Sequence, residues 1–347
     1  MTQAELFSRM LAAPALRFAD IDDFATAIAC LPDLPEWERA LALRDLTALE
    51  AVAKDAKLYD SNEALTRYHT LYDAVCGVLG LAEPPKPLPF FLVDKFPEPF
   101  ADRPWKAMCV DPALGTHGAV PCGIYYKPQY LCGGMFEIMV SHEIVHYLIS
   151  HYSVGEARKY TSLAEEGVCE ILAAYALLTV DPAAEHALCA HLLHNRAGAV
   201  GAHGIRRNYY NAANHIFDYV CQNGLAALLA ALENGRIAFT QADLSDMAHP
   251  SPQTGVLGKL QAMYALAERM LVLPATAYLL FAQSASVGEC EITTLATSCN
   301  IPLDNVTATL AHLQADGLLS VHQGVVYNYN KYLLPHLYYI FGKERRA

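Results

Sequence analysis

Residues 142–146 read HEIVH, and residues 163–175 read LAEEGVCEILAAY. From residue 135 onwards apolar residues recur every fourth position, which predicts a helix with one core-facing stripe. On such a helix His142 and His146 lie one turn apart on another face, so their ring nitrogens can reach one metal ion. The two stretches are therefore either the halves of one metal site or two ordinary buried helices.

The residue between the histidines favours a catalytic site. Glu143 lies about 100° around the helix from His142, beside such a site rather than in it. A zinc ion held by two histidines and one more ligand keeps a position for water, lowers the pKa of that water and polarises a carbonyl. A neighbouring glutamate can then accept the proton and pass it to the leaving amine.

The second stretch predicts a helix that is apolar on nearly every side, as a helix packed against the first would be. It carries three carboxylates, at Glu165, Glu166 and Glu170. Buried carboxylates need cations or hydrogen-bond donors, and zinc with its histidines provides both. The alternative is that these acids face solvent at a helix N-terminus, where the helix dipole favours negative charge.

These motifs resemble those of the gluzincin zinc metallopeptidases, in which HExxH is completed by a glutamate from an NEG- or EEG-type motif. The peptidase domain of the plant ubiquitin-activated LIM-domain peptidases is the nearest likeness, since EEGVCEILAAY stands at a similar distance from HEIVH. The resemblance spans roughly residues 130–238, and its motifs are specific up to residue 170.

The resemblance implies that His142, His146 and Glu166 bind Zn²⁺ and that Glu143 is the general base. The spacing of the aminopeptidase N-like branch would select Glu165 as the third ligand, whereas the glycine after the ligand glutamate favours Glu166. Helical phase does not decide between them. Glu170, one turn beyond Glu166, could accept the free N–H of a ligand histidine and so fix its tautomer.

A gluzincin also needs a donor to the tetrahedral oxyanion, often Tyr or His. The candidates between residues 202 and 220 are His203, Tyr209, Tyr210 and His215. Tyr209 shares a predicted helical face with apolar residues, so we expect it to point inward and to be the donor.

Short aromatic and β-branched runs before the first helix predict a small sheet. They are PFFLVD at 89–94, WKAMCV at 105–110 and CGIYYKPQY at 122–130. The resemblance implies that the last run, which directly precedes the HEIVH helix, is the edge strand that pairs with an extended substrate.

Composition restricts the partners and the compartment. The 347 residues are 54% apolar and carry 24 basic against 36 acidic residues, a net charge of -12. The ten cysteines include no CxxC pair, and no apolar run is long enough to cross a bilayer. The N-terminus lacks the apolar core of a secretory signal. We therefore expect a reduced, cytoplasmic protein that binds neither nucleic acid nor membrane by default.

Proline-rich and polar stretches divide the chain into three expected domains. Residues 1–83 are predicted to be a helical N-terminal region, residues 84–240 the metallopeptidase core, and residues 241–347 a winged-helix-like domain. The last prediction follows from three helical segments and two strands joined by a tight turn at Gln323-Gly324. The expected fold class is α+β and mainly helical.

The recognition helix of such a winged helix-turn-helix would span residues 302–315, which contain no Lys or Arg. Phosphate contacts supply much of the affinity for DNA, so this helix is a poor reader. We expect the domain to bind a protein partner or a second copy of the chain.

The sequence as a whole predicts a cytoplasmic zinc metallopeptidase that hydrolyses a peptide or protein substrate through a zinc-bound water. Two other functions stay open. One is a winged-helix transcriptional regulator or sensor whose HExxH domain binds zinc without proteolysis. The other is a structural interaction protein in which the two histidines belong to the core and bind no metal.

Overall fold

The chain was analysed as a computed structural model, which describes residues 59–103, 105–111, 120–128, 131, 133–152, 162–185, 188, 191–192, 205–233, 253–271 and 273–330. These residues fall into two units. The first holds the described residues of 57–188 and 208–262, and the second holds those of 189–207 and 263–344. Each unit is described by itself.

The first unit begins with helix α1, Ser61–Leu79. Its start is fixed by a capping box, in which the Asp60 carboxylate accepts the N–H groups of Asn62 and Glu63 at 2.8 Å and the Glu63 carboxylate accepts the Asp60 N–H at 3.1 Å. Its end is fixed by Gly80 in the left-handed conformation, φ 65°. The buried side chains recur three and four residues apart, so α1 presents one apolar face to its neighbours.

A three-stranded sheet follows, with strands β1 Phe90–Leu92, β2 Ala107–Val110 and β3 Gly123–Tyr126 in the order β1-β3-β2. Strand β3 pairs in parallel with β1 and antiparallel with β2. All three predicted strand segments are therefore confirmed. The expectation that the 122–130 segment forms the edge strand is wrong, because β3 has a partner on each side and β2 lies at the edge of the described sheet.

Two apolar helices carry the sequence motifs: α2, Met135–Tyr152, and α3, Ser162–Val180. They pack against each other and against α1, and α2 also packs on β2 and β3. An aromatic cluster joins these elements at the start of α2, and its members are Tyr68, Phe90, Tyr126 and Phe136. The predicted helix of HEIVH is confirmed, including its packing against the helix of the second stretch.

A charged network fixes the ends of the three helices. Arg67 of α1 lies with its Nε 3.3 Å from the Glu137 carboxylate of α2 and also forms an ion pair with Asp181, just after α3. Glu137 is buried and accepts further hydrogen bonds from the Tyr59 hydroxyl and the Gly134 N–H. The network thereby fixes the start of α2, which lies about two turns before His142.

Three further helices contribute described residues to the first unit. Helix α4 spans Ile205–Asn223, α5 spans Leu225–Glu233, and α6 spans Gly255–Leu271 and continues into the second unit. Helix α5 packs against α2. Helix α4 lies against α3, as the contacts at Gly167 described below show.

The second unit contains α7 Ala275–Val287, β4 Glu289–Glu291, α8 Ile292–Cys299, α9 Leu303–Ala315, β5 Ser320–His322 and β6 Val325–Tyr327. The predicted order of three helices and two strands is confirmed, while β4 was not predicted and completes a sheet in the order β4-β6-β5. The β5–β6 turn lies at Gln323, φ 50°, and Gly324, φ 80°, the left-handed pair that favours a two-residue hairpin.

Asn328, directly after β6, fixes the sheet of the second unit to α7. Its buried amide nitrogen donates to the Phe281 carbonyl at 3.0 Å and lies 2.9 Å from the Ser284 hydroxyl. Asn330 in turn donates to the Leu318 carbonyl at 2.7 Å, just after α9. These two asparagines therefore connect the end of β6 to α7 and to the segment just after α9.

The described residues are mainly helical with two small sheets, so the coarse fold class is confirmed. The expected domain boundaries at residues 84 and 241 stay predictions. Residues 1–58 and 331–347 lie outside the described residues, as does the expected linker at 241–252. No helix in the described part of the chain is both long enough and apolar enough to cross a membrane.

Candidate metal centre

Three side-chain atoms from α2 and α3 converge on one point. His142 Nε2 lies 3.1 Å from His146 Nε2 and 3.0 Å from the Glu166 carboxylate. The same Glu166 oxygen lies 3.4 Å from His146 Nε2. The three atoms thus form a nearly equilateral triangle.

This triangle fits zinc. Nitrogen and oxygen ligands at about 2.0–2.2 Å from a tetrahedral zinc ion lie about 3.3–3.6 Å from one another. The three sides of the triangle, 3.0, 3.1 and 3.4 Å, need to lengthen by only a few tenths of an ångström to reach that range. The Glu166 side chain is 31% exposed, so the triangle is open to solvent on that side.

The second nitrogen of each ring faces another carboxylate of α3. His146 Nδ1 lies 3.0 Å from Glu165. His142 Nδ1 lies 3.5 Å from Glu170, close enough for an ion pair but outside hydrogen-bonding geometry. Glu165 therefore lies on the far side of the His146 ring from the triangle, where an acceptor would fix the tautomer that leaves Nε2 free for a metal.

Burial and neighbouring groups shift the pKa values of the three triangle residues in opposite directions. Burial acts to lower the pKa of His142, but its hydrogen bond to Glu166 and the charge of Glu170 outweigh burial and raise that pKa. For His146, burial is outweighed by Cys169, Glu165 and Glu166, and the pKa lies well above the ordinary value. Burial acts to raise the pKa of Glu166, but the hydrogen bonds from both histidines hold it far below the ordinary value. Glu166 is thus an anion that pairs with both rings.

Glu143 lies beside the triangle, next to the sheet. Burial raises the pKa of its carboxyl group against the opposing charges of His146 and His142. Its carboxylate also accepts the backbone N–H of Cys109 in β2. The Lys127 N–H donates to the Lys106 carbonyl, so Lys106 and Lys127 form a hydrogen-bonded pair of the antiparallel ladder. Every second residue of β2 from Lys106 faces β3 in this way, and the residues between them, including Cys109, point their backbone groups away from β3. The outer edge of β2 therefore runs past Glu143.

The sequence reasoning missed two cysteines at this site. Cys169 of α3 is fully buried and forms a hydrogen bond with His146, and burial raises the pKa of its thiol to about 12. Ligand atoms of His142, His146 and Cys169 all lie within 4.8 Å of one another. Cys109 contributes its backbone N–H to Glu143, and burial raises the pKa of its own thiol well above the ordinary value. Cys169 could have been found from the sequence, because it lies one helical turn after Glu165 and Glu166 and so on the same side of α3.

The close approach of α4 at Gly167 was also missed. A Cβ atom at Gly167 would lie 2.6 Å from the Ala212 carbonyl oxygen and 2.9 Å from an Ile216 side-chain carbon. Only a glycine lets the two backbones meet there, directly after Glu166. A glycine inside an otherwise apolar helix was the signal, since such glycines have a packing reason more often than not.

Tyr209 is the remaining predicted site residue. Its backbone lies in α4, but its side chain and that of Tyr210 lie outside the described residues, as does His203. His215 is half-buried on the same helix. The assignment of an oxyanion donor therefore stays a prediction.

Comparison of the chain with protein-family models, with curated proteins and with solved structures gives no match.

Proposed function

We propose that this protein is a zinc-dependent metallopeptidase of the gluzincin type. The single observation that carries the proposal is the triangle of His142, His146 and Glu166, whose sides agree with those of a tetrahedral zinc site. Three ligand atoms from two helices that lie this close together are the arrangement that a catalytic zinc ion requires.

The three triangle residues would hold the ion. When bound, zinc supplies Lewis-acid chemistry, because it polarises a carbonyl oxygen and lowers the pKa of water. Three protein ligands rather than four are typical of catalytic zinc, which keeps a position open. Glu165 and Glu170 would orient the two histidine rings.

Glu143 is the group that would accept and return a proton. It neighbours the triangle without belonging to it, and burial raises its pKa towards the range where a general base works best near neutral pH. The Cys109 N–H holds the carboxylate in place.

The outer edge of β2 is where an extended peptide would bind. Its backbone groups at Cys109 point away from β3 and lie beside Glu143, so a peptide that adds to this edge would carry its scissile bond past the triangle. This replaces the 122–130 strand as the expected substrate edge.

The proposal is tested with purified protein reconstituted with one equivalent of Zn²⁺ and incubated with a peptide library made from a digested proteome. Wild type should generate new termini detectable by mass spectrometry. Glu143→Gln keeps the size of the side chain and removes the base, so it should bind zinc and cleave about 10²–10⁴-fold more slowly. Equal rates in the two proteins, or no cleavage by zinc-loaded wild type, would contradict the proposal.

For the second unit we propose binding of a protein partner or of a second copy of the chain. Its order of helices and strands resembles a winged helix-turn-helix, and α9 would be the recognition helix. Residues 273–330 contain four carboxylates and no Lys or Arg, which disfavours phosphate contacts. Sedimentation of the full chain and DNA binding at two salt concentrations test this. Salt-sensitive, specific DNA binding would favour the transcriptional regulator instead.

A further inference from the structure

We propose that Cys169 is a fourth protein ligand, which closes the zinc site of the resting protein together with His142, His146 and Glu166. This inference rests on the proposed zinc site and concerns its regulation. A site with four protein ligands has no position for substrate, so only the fraction of molecules in which Cys169 is released would cleave, and wild type would work below its full rate.

The helical geometry of α3 places the thiol at the site. At about 100° per residue, Cys169 lies at about 40° from Glu165, between the directions of Glu165 and Glu166 and one turn further along the helix. Both carboxylates face the histidines of α2. Cys169 therefore faces the same side, and its hydrogen bond with His146 agrees with this placement.

The distances put the thiol within reach of the ion. A Zn–S bond of about 2.3 Å and Zn–N bonds of about 2.0–2.1 Å separate sulfur and nitrogen by about 3.6 Å. The ligand atoms of His142, His146 and Cys169 lie within 4.8 Å of one another. A contraction of about 1 Å, within the range of a side-chain rotation, would complete the site.

The burial of Cys169 also favours a metal-ligand role over a reactive thiol. Its side chain has no exposed surface, and the described groups around it are the two histidines and the carboxylates Glu165 and Glu166. On binding, the S–H bond breaks, a Zn–S bond forms and the proton leaves to solvent. No oxidant or reductant is needed.

Two states follow from this arrangement. With Cys169 bound, the ion has four protein ligands and the site is closed. With Cys169 released, the ion has three ligands and the site is open to a substrate carbonyl. A rotation of the Cys169 side chain would switch between the states, because Glu166 belongs to the same helix α3 and would stay in place.

Cobalt substitution tests the inference. Co²⁺ in a tetrahedral site shows visible d–d bands, and a thiolate ligand adds a near-ultraviolet charge-transfer band. Wild type should show both. Cys169→Ser should lose the charge-transfer band and keep the d–d bands, while Cys109→Ser, the matched control at the neighbouring half-buried thiol, should keep both. Cys169→Ala loaded with zinc should cleave the peptide library faster than wild type.

A measurement on wild type alone makes the test independent of the folding of any variant. The X-ray absorption fine structure of the zinc-loaded protein should show one sulfur at about 2.3 Å beside lighter atoms at about 2.0–2.1 Å. A shell of nitrogen and oxygen only, with tetrahedral cobalt bands that His146→Ala removes, would overturn the role of Cys169 and leave the zinc site intact. A folded protein that binds neither metal would overturn both proposals.

Discussion

The contact between α3 and α4 at Gly167 makes a prediction whose size can be estimated from the structure. In Gly167→Ala the added Cβ would lie 2.6 Å from the Ala212 carbonyl oxygen and 2.7 Å from its carbonyl carbon. Ordinary contacts of a Cβ atom are 3.4–4 Å, so the α4 backbone must withdraw by about 0.8 Å. The atoms in the way are backbone, which cannot rotate aside.

Two terms of opposite sign set the change in the free energy of unfolding. Alanine is favoured over glycine within a helix by about 0.8–1 kcal/mol. Overpacking of a close contact costs about 1–3 kcal/mol. The net effect of Gly167→Ala is therefore a destabilisation between about zero and 2 kcal/mol, and the overpacking cost can be separated only with a control.

Gly77→Ala is that control. Gly77 lies in α1, and an added Cβ there would meet nothing within 4 Å. It should stabilise the protein by about 0.5–1 kcal/mol through helix propensity alone. Urea unfolding followed by circular dichroism should place Gly167→Ala about 1–3 kcal/mol below Gly77→Ala. If the two variants are equally stable, α4 does not pack on α3 next to Glu166 and the account of the site is wrong there.

Two further predictions concern protons and the second unit. The raised pKa values of His142 and His146 mean that the metal-free rings hold protons at a higher pH than usual, and zinc must displace them. Zinc affinity should therefore rise with pH through the range where the rings titrate. Calorimetry in two buffers with different ionisation enthalpies should detect the released protons. A zinc affinity that is independent of pH between about 5.5 and 8 would contradict this prediction. Asn328→Ala removes the two hydrogen bonds that the Asn328 amide gives to the Phe281 carbonyl and the Ser284 hydroxyl, which keep only their hydrogen bond to each other. It should cost about 1–3 kcal/mol in thermal unfolding, whereas Asn305→Ala, at an exposed position of α9, should change little; equal effects would refute the role given to Asn328.

The local parts of the site were predictable from the sequence. The position of His142 and His146 on one helical face follows from the geometry of a single helix, and the structure places their Nε2 atoms 3.1 Å apart. The strand segments and the helix–strand order of the second unit were also predictable, since alternation and turn residues are local signals.

The choice between Glu165 and Glu166 could not be made from the sequence. Helix α3 is apolar on nearly all sides, so its rotation is set by its neighbours, among them the α4 backbone at Gly167. In the structure Glu166 lies next to both Nε2 atoms, whereas Glu165 lies next to Nδ1, the second ring nitrogen of His146. This arrangement agrees with the ligand that the glycine of the motif favours.

The edge strand was predicted incorrectly for a similar reason. The motif resemblance implied that the 122–130 segment would be the edge, but pairing between β1 and β3 is a non-local contact. The N–H that β2 donates to Glu143 depends on the same topology. Contacts of this kind have no signature in the periodicity of a single segment.

The central claim is that His142, His146 and Glu166 bind one zinc ion, and elemental mass spectrometry of purified, folded proteins tests it most directly. Wild type should contain about one zinc per chain, His146→Ala none, and Glu166→Gln a weakened site. Glu165→Gln should keep near-full occupancy, because loss of its orienting role should cost only about 10–100-fold in affinity. Folded wild type without zinc even after addition of the metal, or loss of zinc with Glu165→Gln but not with Glu166→Gln, would contradict it.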